Sequence, residues 1–246
     1  MKQIERIVAA ALAGLVVSGV HADGVVNYVT NGGFEDGYDS ASCIRYLSDG
    51  STAIPGWTVV GGSFCIDWLD GDCGYPAAPD GSRYILDLKG SLCPSCNNNG
   101  GVRQVVTVPD AGQYVLVVDI YSSSDPNDSA IISIDGIETE VFGSTEKQSW
   151  KSHAISITAS STEIDVFIYS PDEHTSASLP LLDNVRLFNG DCNNDGVPDL
   201  EQIEQGILED TDGSFVPDIC ETPCSADLSH DDVVDATDLG LLIIAW

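Results

Sequence analysis

The chain has 246 residues, with 39 acidic residues against 9 basic ones, and a formal net charge of −30 at neutral pH. Such an excess of negative charge excludes nucleic acid and anionic membrane surfaces as natural partners.

Residues 1–22 have the pattern of a secretory signal peptide. Basic residues precede an apolar run over 7–20, and a small-x-small cleavage site ends at Ala22. The run is shorter than the about 20 residues that a spanning helix needs. We therefore expect a secreted or cell-surface protein with no membrane span after cleavage. An uncleaved N-terminal anchor is the alternative.

Residues 23–189 predict an antiparallel β-sandwich. Short alternating or β-branched runs are separated by turns rich in Gly, Ser, Asn, Asp and Pro, and no helical period is present. The predicted strands are 24–30, 57–60, 83–88, 102–108, 113–121, 130–134, 149–158, 163–169 and 181–188. Trp57, at the start of a strand, is expected in the core.

Two aromatic residues are candidates for ligand binding. Trp68 lies between Cys65 and Cys73 in a stretch rich in Asp and Gly, and Tyr75 is close by. An aromatic side chain on such a loop suits stacking on the apolar C–H face of a sugar. A packed loop anchor is the alternative for Trp68.

Motifs of catalysis are missing from the sequence. It contains no Gly-x-Ser-x-Gly, no His-Glu-x-x-His and no phosphate loop. Paired carboxylates for glycoside hydrolysis cannot be picked out in so acidic a chain. We therefore expect a protein that is not an enzyme.

All eight cysteines follow the predicted cleavage site, and export makes disulfides the expected state. They are Cys43, Cys65, Cys73, Cys93, Cys96, Cys192, Cys220 and Cys224. Five are early and three are late, and the odd count in each half indicates one bridge between the halves.

The composition changes abruptly at Gly190, which predicts a domain boundary. The last 57 residues hold fifteen Asp or Glu and no Lys or Arg. Carboxylates this close repel each other unless cations are present. We expect the sandwich to fold without this tail, and the tail to be ordered only with calcium.

Three consecutive segments of the tail place oxygen ligands at positions 1, 3, 5, 7, 9 and 12 of a calcium loop, position 7 through its carbonyl. The first loop is Asp191, Asn193, Asp195, Val197, Asp199 and Gln202. The second loop is Asp210, Asp212, Ser214, Val216, Asp218 and Glu221. The third loop is Asp227, Ser229, Asp231, Val233, Asp235 and Asp238. Calcium is the predicted cofactor.

The three loops are expected to differ in affinity. The third supplies the most complete ligand set and is expected to bind best. The first follows, with Gly196 at the turn position. In the second, Phe215 stands there, and a bulky residue at positive φ is costly.

A short helix is predicted after the third loop. Leu239, Leu242, Ile243 and Trp246 follow a helical period, and Leu241 and Ile244 make the other side apolar as well. A helix that is apolar all round needs a partner surface, which makes this end a candidate for docking to a protein.

Several motifs occurring in order over about 24–189 resemble the choice-of-anchor C family, a bacterial relative of a plant cell-wall domain of unknown function. They are Asn31-Gly32-Gly33-Phe34-Glu35, Ile54-Pro55-Gly56-Trp57, Gly81-Ser82-Arg83, Gly101-Val102-Arg103-Gln104 and Leu182-Asp183-Asn184-Val185. The resemblance implies a galactose-binding-like jelly roll, a fold shared with many carbohydrate-binding modules. It also implies a structural calcium ion held by Glu35 and Asp183, for which a turn cap and a solvated edge acid are the alternatives.

The tail carries two further resemblances. Residues 190–223 resemble thrombospondin type 3 calcium repeats, and 224–246 resemble one half of a type I dockerin. Such repeats carry Cys at positions 2 and 11, and here Glu201 and Thr211 replace one such pair. The resemblance therefore implies that Cys192 bonds to an early cysteine and Cys220 to Cys224.

The sequence supports three hypotheses for function. The first is an exported, non-catalytic, calcium-binding protein whose β-sandwich binds carbohydrate or cell-surface polysaccharide. The second is an assembly or adhesion protein that docks to a partner through its dockerin-like end. The third is a glycan hydrolase.

Overall fold

The computed structural model describes residues 26–38, 42–61, 65–79, 81–90, 100–122, 128–144, 148–171 and 180–221. Within these ranges the chain forms eleven β-strands, one α-helix and one 3₁₀ turn. The strands are β1 (Ile44–Leu47), β2 (Thr58–Val60), β3 (Ile66–Asp70), β4 (Tyr84–Asp87), β5 (Gly101–Thr107), β6 (Gly112–Ser122), β7 (Ser129–Ile134), β8 (Ile137–Phe142), β9 (Ser149–Ala159), β10 (Glu163–Tyr169) and β11 (Leu181–Asn189). The 3₁₀ turn is Gly71–Cys73 and the helix α1 is Asp199–Glu204.

The strands form a jelly-roll β-sandwich. One sheet has the order β1-β3-β4-β11-β6-β9 and the other β2-β5-β10-β7-β8. The pairs β7·β8, β6·β9, β5·β10 and β4·β11 are antiparallel and nested in sequence, and they alternate between the two sheets. This nesting is what a folded-over double hairpin produces, and it confirms the predicted fold class.

The core lies between the two sheets because alternate residues of each strand point inward. In β10, for example, Ile164, Val166 and Ile168 are fully buried while the residues between them are partly exposed. Trp57 is 2% exposed and its Nε1 donates to the carbonyl of Asn31 at 3.0 Å. The predicted core position of Trp57 is confirmed.

The predicted strand over 24–30 is wrong for the residues that the structure describes, where only an isolated bridge at Val26 occurs. Tyr28 N donates to the carbonyl of Leu187, but Leu187 N donates to the side chain of Asn27 at 3.0 Å. A side-chain amide thus takes the place of a backbone carbonyl, which ends the ladder.

Three strands were not predicted from the sequence: β1, β3 and β8. In β3 every residue is buried, so it lacks the alternation of a half-exposed strand. A turn at Asp135 and Gly136, with φ of 50° and 83°, joins β7 to β8. Asp-Gly with positive φ at both residues is the strongest short hairpin signal, and it marks β8 in the sequence.

The tail continues directly from β11 and lies against the outer face of the six-stranded sheet. Asp199 N donates to the carbonyl of Gly190 at 2.7 Å. Leu200 and Val216 of the tail cluster with Val115 and Phe188 of the sheet. The acidic repeats therefore cover part of the sandwich.

Candidate functional site

A cleft of about 470 Å³ opens on the outer face of the six-stranded sheet. Its apolar and aromatic walls come from five strands or loops, and its polar side-chain groups are two carboxyl groups, one amide and two tyrosine hydroxyl groups. The side chains that matter are Ile44, Leu69, Tyr75, Tyr121, Leu181, Asp67, Asp87 and Gln148. Such a volume and such a mixture are typical of sites for small ligands.

Strand register brings the two carboxylates together. In β3 and β4, the core takes Ile66, Trp68 and Leu86, so Asp67 and Asp87 point outward. The two acids are direct cross-strand partners. Directly opposed residues of an antiparallel pair have Cβ atoms about 4.5–5.5 Å apart, so the carboxylates are neighbours.

The row of outward-facing residues that contains Asp67 and Asp87 continues across the sheet to the aromatic side chains of the cleft. Asp87 is opposite Leu181, and Leu181 is opposite Tyr121. The ring of Tyr121 contacts that of Trp150, with centroids 5.3 Å apart. The indole Nε1 of Trp150 donates to the carbonyl of Ala77 at 2.8 Å, which holds the loop that carries Tyr75 against the sheet.

Burial dominates the electrostatics of the cleft floor. Asp67 is 1% exposed and Asp87 is 4% exposed. Burial raises the pKa of Asp87 to about 7, and the negative charge of Asp67 contributes in the same direction. The backbone N–H of Lys89, which donates to Asp87 Oδ1 at 2.9 Å, acts in the opposite direction.

The loop that carries Tyr75 is anchored covalently and ionically. A disulfide joins Cys73 at the end of the 3₁₀ turn to Cys43, just before β1. Asp70 caps the turn by accepting from Asp72 N, and Arg83 donates to both oxygens of Asp70 at 2.8 and 2.7 Å. This bidentate contact lowers the pKa of Asp70.

Of the two predicted ligand-binding aromatics, the structure brings only one to the cleft. Tyr75 is half-buried at the wall, and its pKa is raised by burial and then by the charge of Asp67. Trp68 is fully buried in the core, and its Nε1 donates to the carbonyl of Phe34 at 3.1 Å. The role of Trp68 as a ligand platform is wrong, because the strand β3 turns its side chain inward.

Glu35 and Asp183 occupy different surroundings. Glu35 Oε1 accepts from the backbone N–H groups of Arg83 and Tyr84, at 2.9 and 2.6 Å, at the start of β4. Asp183 is fully buried in β11, opposite Asp119. The calcium ion shared by Glu35 and Asp183 stays a prediction.

The first predicted calcium loop adopts a tightly hydrogen-bonded turn. The carboxylate of Asp191 accepts from Asp195 N and Gly196 N, both at 3.1 Å. Asn193 Oδ1 also accepts from Asp195 N, at 3.0 Å. Gln202 Nε2 reaches back across the loop to Asp195 Oδ2 at 2.8 Å. The side chains of positions 1, 3, 5 and 12 therefore converge.

The second loop repeats this geometry. The carboxylate of Asp210 accepts from Ser214 N and Phe215 N, at 3.0 and 3.1 Å. Asp212 Oδ1 accepts from Ser214 N at 2.8 Å. Ser214 Oγ donates to Glu221 Oε1 at 2.8 Å. In both loops the side chains of positions 1 and 3 thus accept the same hydrogen bonds from the backbone of positions 5 and 6, and the side chains of positions 5 and 12 are joined.

Asp199 provides an observation that points to a cation in the first loop. Its side chain is 1% exposed; Oδ2 accepts from Cys192 N at 2.8 Å, and Oδ1 has no hydrogen-bond partner within the described residues. Burial raises the pKa of Asp199, and the charges of Asp191 and Asp195 raise it further. A hard cation ligated by oxygen fits this donor set.

The disulfide of the tail contradicts the pairing implied by the repeat resemblance. Cys192 is bonded to Cys220, with Cα atoms 5.9 Å apart. The predictions of a bond from Cys192 to an early cysteine and of Cys220 to Cys224 are therefore wrong. The physical reason is that the two loops fold back on each other, which brings position 2 of the first beside position 11 of the second.

This disulfide also excludes a metal site made of the thiolates of Cys192 and Cys220. The sulfur atoms of Cys192 and Cys220 and a carboxylate oxygen of Asp199 lie within 4.8 Å of one another. Because the two sulfurs are bonded to each other, neither is a thiolate, and of these three side chains only Asp199 keeps an atom that could ligate a cation.

Several predicted residues lie outside the described residues. They are the signal peptide, the third calcium loop, the C-terminal helix with its docking role, and Cys93, Cys96 and Cys224. Cys65 is described and is fully buried. Within the described residues, no helix has the length and apolar character needed to cross a membrane.

Sequence reasoning missed the acids and one wall of the cleft: Asp67, Asp87 and Tyr121. Each belongs to a buried strand in which residues of both faces are inaccessible, so alternation does not single them out. The sequence signal that could have identified Asp67 and Asp87 was an acidic residue within an otherwise apolar strand, since Asp is rarely buried unless it is paired.

The nested strands and the cleft define a jelly-roll β-sandwich with a ligand-sized cleft on an outer sheet face. Residues 27–188 match the family described as "Protein of unknown function (DUF642)", and the chain belongs to that family. No curated protein matches the sequence. The resemblances to the choice-of-anchor C family, to thrombospondin type 3 repeats and to dockerins stay predictions.

Solved structures similar to this chain include carbohydrate-binding modules. TmCBM61 in complex with β-1,4-galactotriose is 21% identical with a TM-score of 0.48, over 66% of this chain and 98% of that one. A family 35 module from Clostridium thermocellum is 11% identical with a TM-score of 0.38, over 60% and 99%. Family 16 Carbohydrate Binding Module-2 is 15% identical with a TM-score of 0.40, over 66% and 100%. Likenesses of this strength carry no functional argument.

Proposed function

We propose that this is an exported, non-catalytic protein that binds glycan in the cleft of its six-stranded sheet and calcium in its acidic tail. The observation that carries the proposal is the cleft itself, in which Tyr75 and Tyr121 stand beside Asp67 and Asp87. Export is supported by the predicted leader and by the disulfides Cys43–Cys73 and Cys192–Cys220.

The chemistry of the cleft matches that of a sugar ring. A pyranose has apolar C–H faces and a rim of hydroxyl groups. The rings of Tyr75 and Tyr121, with Leu69 and Leu181, supply apolar surface for the faces. Buried carboxylates accept hydrogen bonds from hydroxyl groups, and such bonds to a charged acceptor are stronger than neutral ones.

The glycan proposal is tested by titrating the full chain, in calcium, with oligosaccharides selected on a glycan array. We expect Tyr75→Ala to weaken binding by about tenfold or more, since it removes one apolar wall. Tyr169→Ala, on the outer face of the other sheet, is the matched control and leaves the affinity unchanged. Failure of every glycan to bind, or equal affinities for the two variants, overturns the proposal.

Calcium binding is supported by the convergence of side chains in both described loops and by the buried Oδ1 of Asp199. In these loops the ligands would be the residues at positions 1, 3, 5, 9 and 12, with the carbonyls of Val197 and Val216. Calcium supplies the positive charge that lets carboxylates such as Asp191, Asp195 and Asp199 stay ionised side by side.

Calorimetric titration of the chelated full chain with calcium tests this part. We expect dissociation constants of roughly 10⁻⁴–10⁻³ M, as in extracellular modules, and weaker binding of magnesium. Asp191→Asn and Asp210→Asn each remove one binding event, whereas Asp110→Asn, at an exposed turn of the sandwich, removes none. An unchanged stoichiometry in both loop variants contradicts calcium binding there.

A glycan hydrolase is a second candidate, favoured by the side-by-side placement of Asp67 and Asp87. Retaining glycosidases use two carboxyl groups about 5–5.5 Å apart, one of them with a raised pKa. Prolonged incubation with every glycan that binds, followed by an assay of new reducing ends, separates the two functions. We expect no product; product formation that Asp87→Asn abolishes would establish the hydrolase instead.

A further inference from the structure

The cleft is strongly asymmetric in charge. Asp67 and Asp87 lie on its floor, and none of the described residues that line it is Lys, Arg or His. Both residues line the cleft, but only a small part of each is exposed there, so solvent screens their charge poorly. From the described lining residues, a ligand therefore meets two carboxylates and no cationic side chain.

Other titratable groups face this pair and modify its charge. The phenols of Tyr75 and Tyr46 lie near Asp67, and Tyr75 also lies near Asp87. Lys89 interacts with Asp87 and with the buried Asp128, and burial lowers its pKa. Among these described residues, three acids, Asp67, Asp87 and Asp128, stand against one lysine.

The excess of acids over bases at the cleft predicts an order of affinity for three classes of sugar. A uronate brings a carboxylate next to Asp67 and Asp87 and is repelled by each of them that is ionised, because like charges in a poorly screened site repel. A neutral sugar donates hydroxyl hydrogens and leaves the charge as it was. A protonated amine donates hydrogens and also compensates the charge, which makes a charge-assisted contact that a hydroxyl group does not make.

We infer that the cleft selects amine-bearing glycans, such as polymers of 2-amino-2-deoxyhexose, over neutral glycans, and neutral glycans over uronates. The ammonium group lies between Asp67 and Asp87, while the ring contacts Tyr75 and Tyr121. This inference rests on the proposed function, because it names the glycan class for the same cleft.

Amine binding in this position is coupled to a proton. Since burial raises the pKa of Asp87 to about 7, most of this carboxyl is protonated at pH 6 in the free protein. An ammonium group beside it favours the carboxylate, so the proton leaves Asp87 for the buffer as the amine enters. Binding of a neutral sugar releases no such proton.

The experiment compares matched oligomers on the full chain, in calcium, at pH 6. The probes are trimers of glucosamine and of glucose, trimers of galactosamine and of galactose, and a trimer of galacturonate. Calorimetry in two buffers of different ionisation enthalpy measures the protons released. We expect the amine trimer of one series to bind about tenfold tighter than its neutral partner, with release of up to one proton, and the galacturonate trimer not to bind.

Two variants distinguish a specific contact from general attraction to an acidic protein. Asp87→Asn keeps the shape of the side chain and is expected to abolish both the proton release and the amine preference, measured as the ratio of the affinities for the amine and neutral trimers, while neutral trimers lose one charged acceptor and bind more weakly. Asp110→Asn removes the same charge at an exposed turn and is expected to change neither. Thermal unfolding of each variant checks that the fold is kept.

The outcomes separate this inference from the function on which it rests. Equal affinities for amine and neutral trimers, an amine preference that survives in Asp87→Asn, or binding of the galacturonate trimer each overturn the inference, and the glycan proposal stands. If no trimer and no array glycan binds, the proposed function itself fails.

Discussion

The two described loops of the tail, which are proposed to bind calcium, have positive φ at the same two positions but place their glycines differently. Positions 4 and 6 have positive φ in both: Asn194 at 57° and Gly196 at 85° in the first, Gly213 at 74° and Phe215 at 68° in the second. Each loop thus has one glycine and one residue with a side chain at these two positions. The carboxylate at position 1, which gathers the amides of positions 5 and 6, sets the conformation rather than glycine alone.

Phe215 shows how a residue that conflicts with the backbone is accommodated. A side chain in the left-handed region costs about 1–2 kcal/mol, so a bulky residue at position 6 is unfavourable by itself. The ring of Phe215, however, packs against the apolar cluster formed by Val115, Val117 and Phe188. Burial of the ring offsets the cost, and the loop forms as in the first repeat.

The two loops also contact the sheet through different positions. Position 10 is buried in the first loop and exposed in the second: Leu200 is 8% exposed and Ile219 is 69% exposed. Position 7 shows the reverse, since Val197 is 39% exposed and Val216 is 6% exposed. The two loops therefore share their hydrogen-bonding pattern but turn opposite faces toward the sandwich.

The largest expected difference between the loops is at position 10. Leu200→Ala empties part of the cluster beneath the tail and should lower the free energy of unfolding by about 2–5 kcal/mol, as large-to-small core changes do. Ile219→Ala should change it by less than about 0.5 kcal/mol, because that side chain lies in solvent. Chemical denaturation in calcium measures both; similar losses would contradict the opposite orientation of the loops.

The disulfide between the loops is expected to contribute nearly as much. Replacing both Cys192 and Cys220 by Ser should cost about 2–4 kcal/mol and weaken calcium binding, because the loops are no longer held together. Cys43 and Cys73 are a matched control, since their bridge spans 30 residues and that of the tail spans 28.

Loss of the Cys43–Cys73 disulfide should also lower the free energy of unfolding. It should weaken glycan binding rather than calcium binding, because this disulfide anchors the loop that carries Tyr75. Calcium affinity that depends equally on both bridges would contradict this division. Denaturation and calcium calorimetry on the two double variants decide between the outcomes.

Replacing the glycine at positive φ by alanine should lower the free energy of unfolding equally in the two loops. A Cβ at Gly196 or Gly213 meets nothing within 4 Å, so Ala there is penalised by backbone conformation alone. Gly196→Ala and Gly213→Ala should each cost about 1–2 kcal/mol. Gly112, also without a neighbour within 4 Å but not at positive φ, is the control, and Gly112→Ala should cost nothing. Unequal costs in denaturation would show that the loops differ in geometry.

Local patterns in the sequence predicted much of this molecule. Alternation identified strands such as β10, and the spacing of acids identified both described loops, because strand faces and loop ligands depend on residues close in sequence. The hairpin β7·β8 was missed although Asp135-Gly136 marks its turn.

The cleft was not predictable in the same way, for a physical reason. Asp67 and Asp87 become neighbours only through the register of β3 with β4, and Tyr121 joins them through β11. No local pattern encodes such pairings. The disulfide Cys192–Cys220 likewise depends on how one loop folds against the other, which the repeat spacing does not state.

The smallest expected difference concerns position 2, where the loops hold Cys192 and Thr211. Both backbone N–H groups donate to the acid at position 9, but Thr211 Oγ1 also donates to Asp218 Oδ2 at 2.6 Å, whereas Oδ1 of Asp199 has no such donor within the described residues. The hydroxyl of Thr211, followed by its N–H, lowers the pKa of Asp218.

A carboxyl group whose pKa is lowered by folding adds stability above its ordinary pKa, and this stability is lost as the pH falls through the lowered value. Thr211→Val removes the hydroxyl but keeps the shape, so the variant should melt slightly below the parent chain at neutral pH, by less than the glycine variants. The gap should close as the pH falls below about 4. Thr158→Val, which removes a bond to the neutral amide of Gln113, is the control, and its gap should not follow the titration of a carboxyl group. Melting curves from pH 7 to pH 3, in calcium, test this; a gap for Thr211→Val that persists at acid pH would mean that the hydroxyl stabilises the loop by some contact other than the one to Asp218.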